Sequence, residues 1–234
     1  MFNHCKHILL SQAVVVIQST LIVLVLLSNT YAQSSVEPQI LMEQTSKELI
    51  QAFMAKTEAI RQDPDVAHKL INDNLVPRIN FKLMSRWVLG RNWKKATPEQ
   101  QQDFIQEFKQ LVVKFYSKAL VDYLQSNELS EELITFIPFR GEIKNRYATV
   151  RSWVNPPNGS EPIKVNYDLY LSKKYGTWQV YDVTVEGISL VTTYRSSFKQ
   201  IISQKGMDAL IKELKDKTSN INSLGVKPEV AKKS

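Results

Sequence analysis

The stretch Val180-Tyr-Asp-Val-Thr-Val-Glu-Gly-Ile-Ser-Leu-Val-Thr-Thr-Tyr-Arg-Ser-Ser-Phe198 decides how the chain is read. It begins as an alternating strand with Tyr181, Val183 and Val185 on one face. It breaks at Glu186-Gly187, then resumes at helical spacing with Ile188, Val191, Tyr194 and Phe198. A strand running into an amphipathic helix sets two apolar faces against each other. Gly187 permits the change of direction, and Glu186 is placed to cap the helix by accepting from its exposed amides. The stretch holds no Cys, no His and no phosphate-type glycine loop, so it reads as the lining of an apolar space.

Upstream of it the hydrophobic period is two. Strands are predicted at 133–138, 142–155, 163–172 and 177–186, with Val165, Tyr167, Leu169 and Leu171 sharing a face of the third. Asn155-Pro-Pro-Asn-Gly-Ser160 and Lys174-Tyr-Gly176 are the turns between them, which makes an antiparallel meander. Before the strands the period is helical. A helix over 36–61 is followed by one that Asp63-Pro64 opens and Pro77 stops, and by a short one over 81–89 ended by Gly90. Thr97-Pro98-Glu99-Gln100 is a capping box, and the helix it starts runs to about Gln125 with a wide aromatic stripe. After the opening stretch come helices over 189–204 and 207–217, separated by Gly206, then a polar tail over 218–234 that is expected to fray. Helices, then a meander, then helices define an α+β domain.

The first 32 residues stand outside that domain. Lys6 is their only full charge, the run from Ile8 to Leu27 is apolar, and Ala32 suits the small position before a signal-peptidase cut. A retained anchor is the competing reading, since roughly 20 apolar residues can span a bilayer, although Gln12 and Gln18 interrupt the run. Cys5 is the chain's one cysteine and leaves with the leader, so the exported part holds together by packing alone, as suits a bacterial periplasm. Residues 33–217 then form one domain. The chain's net charge is +7, which favours anionic lipid heads or an acidic partner. No basic run exceeds two residues, which argues against nucleic acid.

Enzyme chemistry is sparse. His68 is the only histidine beyond the leader, so a metal site built on Cys or His is excluded. Among seven glycines there is no nucleophile elbow, Walker loop or dinucleotide fingerprint. One carboxylate pair stays open: Asp168 and Asp182 fall on neighbouring strands and could serve as acid and base. Alternation puts them opposite the apolar faces, toward solvent.

Val76-Pro-Arg-Ile-Asn-Phe81, Leu89-Gly-Arg-Asn-Trp-Lys-Lys-Ala-Thr-Pro98 with the helix start that follows, Trp178-Gln-Val-Tyr-Asp-Val183, the Glu-Gly-Ile-Ser-Leu-Val-Thr run and Gly206-Met-Asp-Ala-Leu210 occur in that order along the chain. Together they resemble the MlaC family of periplasmic phospholipid-binding proteins. The resemblance covers about Leu75 to Leu214. It implies a twisted antiparallel sheet of about four strands, packed with six or more helices around an apolar cavity that holds acyl chains. It also implies a monomeric carrier without catalytic residues or cofactor, phospholipid being its cargo. Such a carrier moves lipid in the Gram-negative periplasm between an outer-membrane lipoprotein–porin complex and an inner-membrane ABC transporter, maintaining outer-membrane asymmetry.

On that reading the cavity wall is expected to take Leu83, Met84 and Trp87 from the short helix and Phe104, Phe108, Val112, Phe115 and Tyr116 from the long one. The sheet contributes Val165, Tyr167, Leu169, Val183 and Val185, and the last motif Ile188, Leu190, Val191, Tyr194 and Phe198. Each of these also suits ordinary core packing. Arg195, Lys82 and Arg86 are the candidates for the head-group rim. Two rivals remain: a small enzyme acting on an apolar substrate through Asp168 and Asp182, and a periplasmic adaptor whose apolar faces close on themselves.

Overall fold

The computed structural model describes residues 37–125, 127–157 and 159–220. The expected leader over 1–32, its cut after Ala32, and residues 221–234 of the tail lie outside the described residues.

Three helices open the described chain: α1 (Pro38–Met54), α2 (Thr57–Gln62) and α3 (Pro64–Asn74). The single helix expected over 36–61 is therefore two. Lys56, at φ −123°, leaves the helical region and restarts the chain. Asp63 caps α3 by accepting from the Asp65 amide, and Pro64 fills the first turn. In α4 (Phe81–Leu89) the Asn80 side chain accepts from the Leu83 amide, and Gly90 ends the helix at φ 53°, ψ −120°. The capping box is complete at α5 (Pro98–Leu124): the Gln100 amide donates to Thr97 Oγ1 at 3.2 Å and the Thr97 amide to Gln100 Oε1 at 3.1 Å. The other Gln100 group, Nε2, donates to Asp208 at 2.7 Å and ties the start of α5 to α7 (Met207–Asn220).

The sheet is an antiparallel meander in chain order: β1 (Ile134–Ile137), β2 (Tyr147–Val154), β3 (Ile163–Leu171), β4 (Trp178–Val185) and a two-residue β5 (Ile188–Ser189). The second strand starts at Tyr147 instead of Glu142. Asn145 and Arg146 both adopt positive φ, and Lys144 and Tyr147 exchange backbone hydrogen bonds, so the chain before them folds back on itself. Glu186 at φ 47° and Gly187 at φ 80° are the centre of a two-residue hairpin turn between β4 and β5. The helix α6 (Leu190–Lys205) follows at once.

Two readings of the Val180–Phe198 stretch change accordingly. Glu186 does not cap α6: its carboxylate accepts from the Lys164 amide across the sheet. The caps are Ser189, whose hydroxyl accepts from the Thr192 amide, and Asp182, which accepts from the Val191 amide at 3.0 Å. The face of β4 is also interrupted. Asp168 pairs with Asp182 but Leu169 pairs with Val180, so Tyr181 sits in a β-bulge. A bulge shifts the alternation by one, and Tyr181 leaves the face that carries Val183 and Val185.

The core has two parts. The helical part is centred on Phe104, Phe108, Phe198, Leu124, Leu210 and Leu214, all nearly or wholly buried. Burying each such side chain contributes about 1.5–3 kcal/mol. The second part lies on one face of the sheet, where Ala148, Val150, Leu169, Trp178 and Val180 pack with Leu41 and Met42 of α1. Thr218 is buried and donates to the Leu214 carbonyl at 2.8 Å, so α7 continues through the first residues of the expected tail. No described helix is long and apolar enough to cross a membrane.

Candidate functional site

Register places the apolar rows of the sheet. Val150, Tyr167 and Val183 stand side by side across β2, β3 and β4, and Ser152, Val165 and Val185 form the next row. Val165 and Leu169 are fully packed, whereas Tyr167, Val183 and Val185 are half-buried. From the helices, Met84, Phe104, Phe108, Val112, Val191 and Phe198 are closed into the helical core. Phe104 and Phe108 stack at 5.5 Å between centroids, and Phe198 meets both edge-on at 5.9 Å. These residues are core packing. The residues left with free surface are Leu83, Phe115, Leu190 and Tyr194, which are half-buried, and Trp87, Tyr116 and Ile188, which are exposed.

Tyr116 shows what kind of surface this is. Its side chain is 39% exposed, yet desolvation pushes its phenol far above the ordinary range, with Tyr194 adding to the shift. Water thus reaches one part of the Tyr116 side chain while protein packs against the rest. Burial raises Tyr194 in the same way, and raises Tyr167 against an opposing hydrogen bond from Ser152. These phenols belong to α5, α6 and β3. Tyr116 and Tyr194 are close enough to influence one another's charge.

The expected rim residues have different settings. Lys82 and Arg86 are exposed and carry no ion pair or side-chain hydrogen bond among the described residues. Arg195 is engaged: its Nε donates to the Trp87 carbonyl at 2.7 Å, and its guanidinium lies 5.9 Å from the Trp87 ring centroid. The same indole stacks on Tyr181 at 6.2 Å, and Tyr181 meets Tyr147, which meets Tyr170. Sequence reading missed this aromatic run, because simple alternation keeps Tyr181 on the opposite face. Burial first, then the charge of Asp168, pushes the Tyr181 phenol up to about 12.

The carboxylate pair is also accounted for. Asp168 and Asp182 are direct neighbours across β3 and β4. Asp182 does not face solvent; it is 7% exposed. It accepts from Ser189 Oγ at 2.6 Å, from the Val191 amide at 3.0 Å and from the Val183 amide at 2.8 Å. A carboxylate holding that many donors serves as a helix cap. Asp168 accepts from Thr149 Oγ1 at 2.6 Å, and burial raises its pKa, with the Thr149 hydrogen bond opposing and the charge of Asp182 adding.

Two grooves of mixed lining lie elsewhere. One of about 580 Å³ is walled by His68, Asp63, Asp65, Lys114, Lys118 and Asp122 among others. Another of about 370 Å³ lies between α1 and β1. Neither touches a residue of the expected wall. His68 thus sits on a surface groove, and no cluster of metal-ligating residues occurs among the described residues.

A set of helices with an open five-stranded antiparallel meander defines an α+β domain. The MlaC protein family matches residues 43–216, and the chain belongs to it. It is 26% identical over 188 residues to the intermembrane phospholipid transport system binding protein MlaC of Haemophilus influenzae, covering 80% of this chain and 85% of that one. It is 28% identical over 172 residues to the toluene tolerance protein Ttg2D of Pseudomonas putida, covering 73% and 75%. Among solved structures it is similar to a phospholipid-binding protein from Ralstonia solanacearum in complex with a phospholipid. That match has a TM-score of 0.69 and 28% identity, covering 80% of this chain and 99% of the other.

Proposed function

We propose that the protein is a phospholipid carrier of the periplasm, delivering lipid between an outer-membrane lipoprotein–porin complex and an inner-membrane ABC transporter. The observation that carries the reading is the likeness, over nearly the whole length of the Ralstonia protein, to a structure holding a phospholipid. The reading is supported by the relative of Haemophilus influenzae named for intermembrane phospholipid transport. On this reading the acyl chains lie against the half-buried apolar residues of β3 and β4 and the free surfaces of α5 and α6, a disposition that the raised phenols of Tyr116, Tyr167 and Tyr194 support.

The physics sets a condition on that place. Each methylene kept from water contributes about 0.8 kcal/mol, so two chains of about 16 carbons represent on the order of 25 kcal/mol. A bilayer supplies the same shelter. A carrier that both loads and unloads must therefore match the membrane closely, and transfer requires docking so that the chains slide between apolar surroundings. Phenol groups at the wall stay neutral at physiological pH and can meet ester oxygens without placing charge beside the chains.

Mass spectrometry of an untreated preparation from cells tests the reading, together with uptake of lipid from vesicles by delipidated protein. Co-purifying phospholipid and restored loading are expected. A preparation without lipid that also takes none from vesicles overturns the carrier.

A further inference from the structure

Two long stretches of this chain contain no carboxylate. From residue 74 to residue 98 the charged residues are Arg78, Lys82, Arg86, Arg91, Lys94 and Lys95; from 187 to 207 they are Arg195, Lys199 and Lys205. They are remote in sequence, but the fold joins them. The helix α4 lies against α6, and the Arg195–Trp87 hydrogen bond links the two. Lys82, Arg86, Arg91, Lys94, Lys95 and Lys199 are all exposed, and none has an ion pair or side-chain hydrogen bond among the described residues. Surface cations elsewhere, such as Lys69 and Lys118, do have carboxylate partners, and within the second stretch Lys205, at the end of α6, pairs with Glu213.

Trp87 stands among these cations. It is 45% exposed and is the only exposed large apolar side chain on α4, on the 3₁₀ turn after it, or on α6. It is also held in place, stacked on Tyr181 and with the Arg195 guanidinium 5.9 Å from its ring centroid. Protein interfaces have an apolar centre and are depleted in lysine. A single fixed indole ringed by long mobile cations matches the head-group layer of a membrane, where tryptophan settles at the interface and basic side chains meet anionic lipid.

We propose that the α4–α6 face docks on the surface of an anionic bilayer, with Trp87 as its interfacial anchor. This goes beyond cargo binding. Lys82 and Arg86 then meet phosphates of the leaflet instead of the phosphate of a bound lipid, and docking holds the carrier where lipid is collected or delivered.

Vesicle flotation of the full chain tests it, using vesicles of equal parts phosphatidylethanolamine and phosphatidylglycerol against vesicles of phosphatidylcholine alone. Flotation with the anionic vesicles only, weakening with salt, is expected. Each basic residue at an anionic surface changes partitioning by about fivefold, so the pair Lys82→Glu and Arg86→Glu lowers it by on the order of 25-fold or more. Reversal of Lys212 and Lys215 on α7 leaves it in place, and Trp87→Ala weakens it severalfold with the circular dichroism spectrum unchanged. Equal partitioning to both vesicles, or equal loss from the α7 pair, overturns the proposal. So does failure to float by a chain that nonetheless binds polyglutamate, which assigns the face to an acidic protein. Lipid content is measured on the same samples. An empty chain that floats sinks the carrier reading and leaves docking standing; a loaded chain that never floats does the reverse.

Discussion

Asp182 joins strand to helix through one carboxylate. With Asp182→Ala, the Val191 amide and the Ser189 hydroxyl lose their acceptor beside a buried strand. A lost cap and unsatisfied buried donors cost about 2 kcal/mol together, which a shift in urea midpoint measures. Asp182→Asn keeps one acceptor oxygen and costs less. Its neighbour Asp168 gives a pH test. Burial raises its folded pKa above the ordinary 3.8, so its stabilising state is the protonated one, and that contribution is lost as pH rises through the folded value. Asp168→Asn is therefore expected to raise the urea midpoint at neutral pH, with the gain disappearing as pH falls below 3.8. Neither substitution is expected to alter lipid content, whereas a catalytic pair would show loss of turnover from both.

The elements differ in how far they could be read ahead. Where the local chemistry is complete within a few residues, as at Asp63-Pro64 and Thr97-Pro98-Glu99-Gln100, helix starts were legible, because the cap, the proline and the glutamine act on the next turn. The break between α1 and α2 was not, since Met54-Ala-Lys-Thr57 contains neither proline nor glycine. The bulge at Tyr181 was hidden for another reason: it depends on how β3 and β4 register, and no single strand carries that information. Candidate wall residues were legible as apolar faces. Their division into packed supports and free surface was not, because periodicity names a face without saying how tightly it is covered. Thr97→Ala is expected to cost about 1 kcal/mol through loss of the cap. Gly90→Ala is expected to cost about 1–3 kcal/mol. An added Cβ there meets nothing nearer than Arg195 Nε at 4.0 Å, so the cost comes from backbone strain at φ 53°. Thermal melts of both variants check these values.

At the scale of the molecule the two parts of the core divide the work. The helical part is closed by aromatic stacking, and one face of the sheet packs with α1 while leaving Tyr167 and Val183 half-buried. A charge placed on the free surface of α5 should disturb loading more than folding. Tyr116→Asp is the test, since the side chain is already partly reached by water. A drop of at least about tenfold in lipid taken from vesicles is expected, because a carboxylate beside acyl chains costs more than 1.4 kcal/mol. The melting temperature should change little. Tyr116→Phe, which keeps the ring, is expected to load normally.

The stacking of Trp87 also has an optical consequence. Of the four tryptophans, Trp178 is 2% exposed and already shielded from solvent. Trp87, open to water, stacked on a phenol ring and close to a guanidinium, is expected to be quenched and to emit toward the red. When head groups replace the water around it, its emission should brighten and shift to the blue while that of Trp178 stays constant. The anchor thus reports its own contact, without an attached dye.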